Sequence, residues 1–178
     1  MVRPTVDNLV LNGEAARKAV LTDIEGMKKF ILQHGPSEWN NLDGVEAHLD
    51  EICTDKTEAM LAFEGSELIG FISYNPRKKL AERYLHEEDV GKECGYLAEA
   101  VVHAGYTGRG IGRQLAELIK TDLLARGVNT IYVLHHEKNI SSRKAWERAG
   151  FSFVKTIYDP EIRPNDSQRT TIQRFVAQ

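Results

Sequence analysis

The chain has little of what would staple, anchor or tether it. Its 178 residues include only two cysteines, Cys53 and Cys94, and neither belongs to a Cys-x-x-Cys pair. That pattern argues against a disulfide framework and is read as two reduced thiols in a cytoplasmic protein. No apolar run approaches the roughly 20 residues that a membrane-spanning helix needs. The opening MVRPTVDNLVLNGEAARK lacks the apolar core of a secretory signal. Positive charge is not in excess: 23 Lys and Arg against 26 Asp and Glu leave a net charge of −3, which disfavours a nucleic-acid partner. There is no Gly-Lys-Ser/Thr, hence no Walker loop. Repeats, low-complexity tracts and Gly/Ser linkers are also missing. Residues 1–178 are therefore expected to form one domain, with a polar and loosely held stretch over 1–14.

What is present is an alternation of helical and strand periodicities. Residues 15–21 suit a first strand, and Thr22 is the expected cap of a helix that lines up Ile24, Met27, Ile31 and Leu32. HGPSEWNN (34–41) reads as a loop, and 45–53 as a short helix with Val45, Leu49 and Ile52 on one side. EAMLAF (58–63) and ELIGFISY (67–74) flank Glu64-Gly65-Ser66 as a hairpin. A charged stretch, 75–93, precedes the strand CGYLAEAVVH (94–103). The strongest helix signal follows, with Ile111, Leu115, Leu118, Ile119 and Leu123 in period and Gly127 as its stop. A strand at 129–135, a helix at 139–150 and strands at 151–158 and 168–177 complete the order βααβββαβαββ. The fold class is α/β or mixed α+β: a central, mostly antiparallel mixed sheet of six to seven strands with helices on both faces.

The stretch AGYTGRGIG (104–112) joins a strand to the mouth of that strong helix. The first turn of any helix leaves amides unpaired and carries partial positive charge. Glycines admit a ligand to the backbone and permit unusual dihedrals. With Arg109 and Arg113 beside them, Gly108, Gly110 and Gly112 read as an anion cradle suited to a diphosphate. A dinucleotide fingerprint would need a third glycine where Arg113 stands.

AVVHAGYTGRGIGRQLAELI (100–119) resembles the acyl-CoA-binding motif of the GNAT superfamily of N-acyltransferases, and NISSRKAWERAGF (139–151) is similar to that family's later Asn…Gly-Phe segment. Thr107 stands where the family has Arg or Gln. The resemblance implies that the strands at 98–103 and 130–135 splay apart to admit a pantetheine arm. The cofactor-binding residues it implies are Val101 and Val102 through their backbone, Thr107, Gly108, Arg109, Gly110, Ile111, Gly112 and Arg113 at the diphosphate, and Asn139 and Ser142 beside the arm. Acetyl-CoA is the expected co-substrate and a small-molecule or peptide amine the expected acceptor. The protein is then a monomer or homodimer with no membrane partner.

Transfer to a protonated amine requires a proton acceptor. Glu99, an acid within the apolar LAEAVV, is the first candidate, and His103 at the strand's end is the second. The departing thiolate needs a proton donor, and the family's usual Tyr is here Trp146. Ser142 is the nearest substitute, with Tyr106 and Tyr132 more remote. That replacement also motivates the alternative of a noncatalytic acyl-CoA-binding regulatory module. His135 and His136 lack further ligands at suitable places, so they are expected on the surface and no metal is expected. For the acceptor, Trp39 and Tyr84 are possible walls, and Glu38, Glu87, Glu88 and Asp89 are acids that attract a cationic amine.

Overall fold

The computed structural model describes residues 9–11, 14–35, 45–52, 54 and 56–177. Eight strands form one sheet: β1 (Leu9–Leu11), β2 (Glu14–Lys18), β3 (Glu58–Glu64), β4 (Glu67–Lys78), β5 (Cys94–Val102), β6 (Thr130–His136), β7 (Ser152–Tyr158) and β8 (Arg169–Val176), in spatial order β1-β2-β3-β4-β5-β6-β8-β7. Every neighbouring pair is antiparallel except β5 with β6. This is the expected mixed sheet, with β1 added from the polar leader. Glu38, Trp39 and Cys53, singled out in the sequence, lie outside the described residues.

Among the described residues the four α-helices are α1 (Ile24–His34), α2 (Val45–Glu51), α3 (Ile111–Ala125) and α4 (Ile140–Arg148). Strand alternation sends successive side chains to opposite faces. Phe71 accordingly packs with Met27, Phe30 and Ile31 of α1 and Leu49 of α2. Its neighbour Ile72 packs with Ile111, Leu115 and Ile119 of α3 and Trp146 of α4. In α1 the third buried position is Phe30, one turn from Met27, whereas Leu32 is 67% exposed. The expected first strand ends early, at Lys18. Asp23, rather than Thr22, organises the turn into α1. Its carboxylate accepts from the Val20 amide at 2.8 Å and from both terminal nitrogens of Arg17 at 2.7 Å. The chain therefore turns before Leu21 can extend the strand.

The start of α3 is held close to the sheet at Gly70. A Cβ there would lie 3.1 Å from the Ile111 side chain and 3.2 Å from the Val101 carbonyl. The charged segment after β4 is not a free loop. It makes two short 3₁₀ turns, Glu82–Tyr84 and Glu87–Asp89, over a third cluster of Tyr84, Leu85, Cys94, Tyr132 and Ile172. The Tyr84 hydroxyl donates to Asp159 at 2.9 Å, and the Tyr132 hydroxyl donates to Asp89 at 2.6 Å. No helix among the described residues is long and apolar enough to cross a membrane.

A charge network ties the far end of α3 to β2, β3 and β4. Glu58 meets Arg126 at 2.5 Å and Lys18 at 2.9 Å, and Asp122 meets Arg126 at 2.6 Å and Lys18 at 2.9 Å. The buried Tyr74 hydroxyl donates to Glu58 at 2.9 Å. Burial works to raise the Glu58 carboxyl, but the hydrogen bonds from Arg126 and Lys18 outweigh it and hold it at about 2. A carboxyl depressed in the folded state adds stability above its unfolded value, and that stability drains away as pH falls through the folded value. Urea unfolding should therefore show stability falling between about pH 5 and pH 2. Glu58→Gln should cost about 2 kcal/mol at pH 7 and flatten that fall.

Candidate active site

The site begins with a break in the β5–β6 ladder. The parallel pairing consists of Gly95 with Ile131, Tyr96 with Tyr132 and Leu97 with Val133. Beyond Leu97 and Val133 both strands continue, to Val102 and His136, without pairing to each other. β5 stays bonded to β4 and β6 to β8, so the two diverge as the arms of a fork. Backbone groups on the inner edges of the arms are left for another partner. Ala100 is exposed although it lies in a central strand, which marks the open side of the fork.

The fork has a local cause. Ile72 pairs with Ala100 but Tyr74 with Leu97, so Ala98 and Glu99 together oppose Ser73. This extra residue is a β-bulge, which bends the strand and breaks its alternation. Leu97 thus packs toward α3, whereas Val101, four residues on, packs toward α1 and α2. The amide that the ladder leaves at Glu99 donates to Ser73 Oγ at 3.1 Å. Glu99 itself is partly buried, and burial pushes its carboxyl up from the usual range while the charge of Arg163 pulls it down.

At the open end stands the glycine loop. Ala104–Tyr106 make a 3₁₀ turn, and α3 starts at Ile111 with Gly110 as its cap at φ 83°, ψ 11°. Only a residue without Cβ adopts that left-handed conformation cheaply. Ile111, Gly112 and Arg113 hold the first three helical amides, which have no partner within the helix. Thr107, Gly108, Arg109 and Arg113 are exposed around this mouth. Arg109 stacks 4.5 Å from the Tyr106 ring and reaches Glu64 at 3.7 Å. Val101 is buried and Val102 partly so, and both side chains belong to the cores.

Across the fork, Asn139 caps α4 by accepting from the Ser142 amide at 3.0 Å. The Trp146 indole donates to Ser142 Oγ at 2.8 Å, which fixes that oxygen and leaves its own proton free to be donated. Trp146 is a buried core residue. The remoter tyrosines are engaged elsewhere. The Tyr106 hydroxyl donates to Glu64, and the Tyr132 hydroxyl, occupied by Asp89, accepts from the His86 amide at 2.9 Å.

Several sequence expectations are revised. His103 is four residues beyond Glu99, roughly 13 Å along a strand. Its Nδ1 accepts from the Gly105 amide at 2.9 Å, and its ring lies 4.0 Å from that of His34. It therefore sits at the strand's end, beside the glycine loop. His135 and His136 are buried, not superficial: His135 Nε2 lies 2.9 Å from Gln173 Oε1. Asp89 and Glu88 are tied to Arg174 at 3.4 and 3.0 Å, so they do not form a free acidic face. Sequence reasoning missed Ser73 and His48, whose Nε2 is 2.7 Å from Ser73 Oγ. A Ser inside an apolar strand, GFISY, was the one available signal.

Comparison with known proteins identifies the family and the fold. Residues 26–151 match the family described as the acetyltransferase (GNAT) family. No curated protein matches the chain by sequence. Among solved structures, a ribosomal-protein-S5-alanine acetyltransferase from Vibrio fischeri is 13% identical with a TM-score of 0.72, over 96% of this chain and 97% of that one. The ribosomal-protein-S18-alanine N-acetyltransferase of Escherichia coli is 15% identical with a TM-score of 0.68, over 93% and 95%. A Bacillus subtilis acetyltransferase in complex with CoA is 16% identical with a TM-score of 0.65, over 92% and 98%.

The loop geometry has a direct test. Gly110→Ala should cost about 1 kcal/mol in urea unfolding, because alanine must adopt a positive φ. Gly112→Ala, where the new Cβ would lie 3.8 Å from Val102, should be neutral or slightly stabilising.

Proposed function

The chain belongs to the GNAT acetyltransferase family, and from that premise we propose that it moves an acetyl group from acetyl-CoA to a primary amine of a peptide or small molecule, within a ternary complex. The observation that carries the reading is the fork between β5 and β6, which opens onto the amides at the mouth of α3. A diphosphate fits those amides and the neighbouring Arg109 and Arg113. The pantetheine arm, rich in amide groups, fits the unpaired inner edge of β5 as an added strand. Thr107 lines this mouth, and Asn139 and Ser142 line the opposite arm.

The acceptor arrives protonated, so its proton must leave before the nitrogen can attack. Glu99 is assigned that role, directly or through water. Its burial raises the carboxyl and so brings its basicity closer to working pH. The nitrogen lone pair then forms the N–C bond, the C–S bond breaks, and its electron pair stays on sulfur. Ser142 donates a hydrogen bond to that thiolate, and the second proton of the nitrogen passes through water to the sulfur. The new amide and the free thiol leave, and Glu99 returns its proton to solvent.

A peptide N-terminus is favoured among acceptors because two proteins of like fold are alanine acetyltransferases of ribosomal proteins. Residues 1–178 then act as one catalytic unit in the cytoplasm, where the buried Cys94 thiol, pushed up to about 12 by burial, stays protonated and inert.

Two measurements check this reading. Gly110→Glu should abolish acetyl-CoA binding in calorimetry while the circular dichroism spectrum is kept; unchanged affinity refutes the cradle. Turnover, followed as thiol release across amino acids, polyamines, aminoglycosides and alanine-initiated peptides, should rise with pH through the raised value of Glu99, since only the ionised carboxylate accepts a proton. Glu99→Gln should lower it about 10²- to 10⁴-fold and remove that limb. Tight acetyl-CoA binding with no thiol release for any acceptor would instead mark a noncatalytic acyl-CoA-binding module.

A further inference from the structure

Glu99 sits at a discontinuity that nothing in the β-ladder holds, and this inference rests on reading it as the proton acceptor. Where two residues of one strand face a single residue of its neighbour, one amide falls out of the pairing. Here that amide is the one on Glu99, and Ser73 Oγ receives it at 3.1 Å. Ser73 is fully buried, and the same oxygen lies 2.7 Å from His48 Nε2. His48 comes from α2, a helix on the α1 side of the sheet, and this contact ties that helix to β4 opposite the bulge. Burial depresses the basicity of the His48 ring, with Glu51 acting to raise it and Lys78 to lower it, so the ring is neutral near pH 7.

We propose that Ser73 and His48 are positioning residues that lock the β5 bulge and so aim Glu99 into the fork. The alternative to a locked bulge is a one-residue slip. A slip would restore regular alternation and carry the Glu99 side chain to the opposite face of the strand. Ser73 opposes the slip by taking the orphan amide, and His48 fixes the Ser73 rotamer from outside the sheet. A neutral imidazole suits either arrangement. With a bare Nε2 it accepts the serine proton; with a protonated Nε2 it donates, and Ser73 Oγ accepts both bonds. Neither residue touches the reacting atoms, so each acts only through Glu99.

The decisive readout is the Glu99 carboxyl itself, followed by ¹³C NMR titration of the resting protein, which needs no acceptor. Arg163 and Tyr96 are the groups that face it electrostatically and are left intact. Ser73→Ala and His48→Ala should let water reach the carboxyl and shift its midpoint down toward the ordinary carboxylate value. Ser73→Thr, which keeps the hydroxyl, should leave it in place. The circular dichroism spectrum of all three should match that of the unsubstituted protein, showing that the fold is intact. Should Ser73→Ala fail to fold, His48→Ala and Ser73→Thr carry the test. An unmoved Glu99 titration in folded Ser73→Ala or His48→Ala overturns the lock, even if Glu99→Gln abolishes turnover. Normal turnover in Glu99→Gln overturns the base assignment instead, even if the titration moves.

Discussion

Everything in this molecule turns on where one parallel ladder stops. β5 and β6 hold each other through three residue pairs and then part, though both strands run on. An unfilled gap between strands is normally costly, because backbone donors and acceptors lose partners. The fold tolerates it because each arm keeps an antiparallel neighbour on its outer side, β4 for one and β8 for the other. The gap is thus a one-sided loss within an otherwise complete sheet, and it lies beside the helix mouth that favours negative charge.

The remaining polar investments support the two arms. Glu58, Asp122, Lys18, Arg126 and Tyr74 brace α3 against β2, β3 and β4 at the end away from the fork. Asp159, completely buried, accepts from Tyr84 and from Thr170 at 3.1 Å, and so fastens the segment after β4 to the β7–β8 connection. Partially buried ion pairs of this kind fix geometry more surely than they add stability. Here the geometry fixed is that of the walls around the cleft.

Much of this was legible in the sequence, for physical reasons that differ by element. α3 was plain because a 3.6-residue period, a glycine entry and a glycine exit all agree over fifteen residues. The glycine loop was plain because its positive φ at Gly110 admits few other residues. β1 was not, since three residues carry too little pattern to stand out from a polar leader. The bulge was also hidden: LAEAVV reads as ordinary alternation, and only the mismatch with Ile72 and Tyr74 across the pair shows the extra residue. His135 and His136 misled because their burial depends on β8, which lies far away in the chain and slots in between β6 and β7. Long-range topology of that kind leaves no local trace.

The short contact between β5 and β6 also makes the sheet two panels joined by a narrow seam. β1 to β5 form one panel and β6, β8 and β7 the other, with Leu97, Ile131 and Val133 meeting in the core beneath the join. A molecule wedged between the arms would touch both panels at once and replace missing ladder bonds on either side. Its arrival would therefore stiffen the whole sheet rather than one edge, and amide protons on both panels would become slower to exchange together.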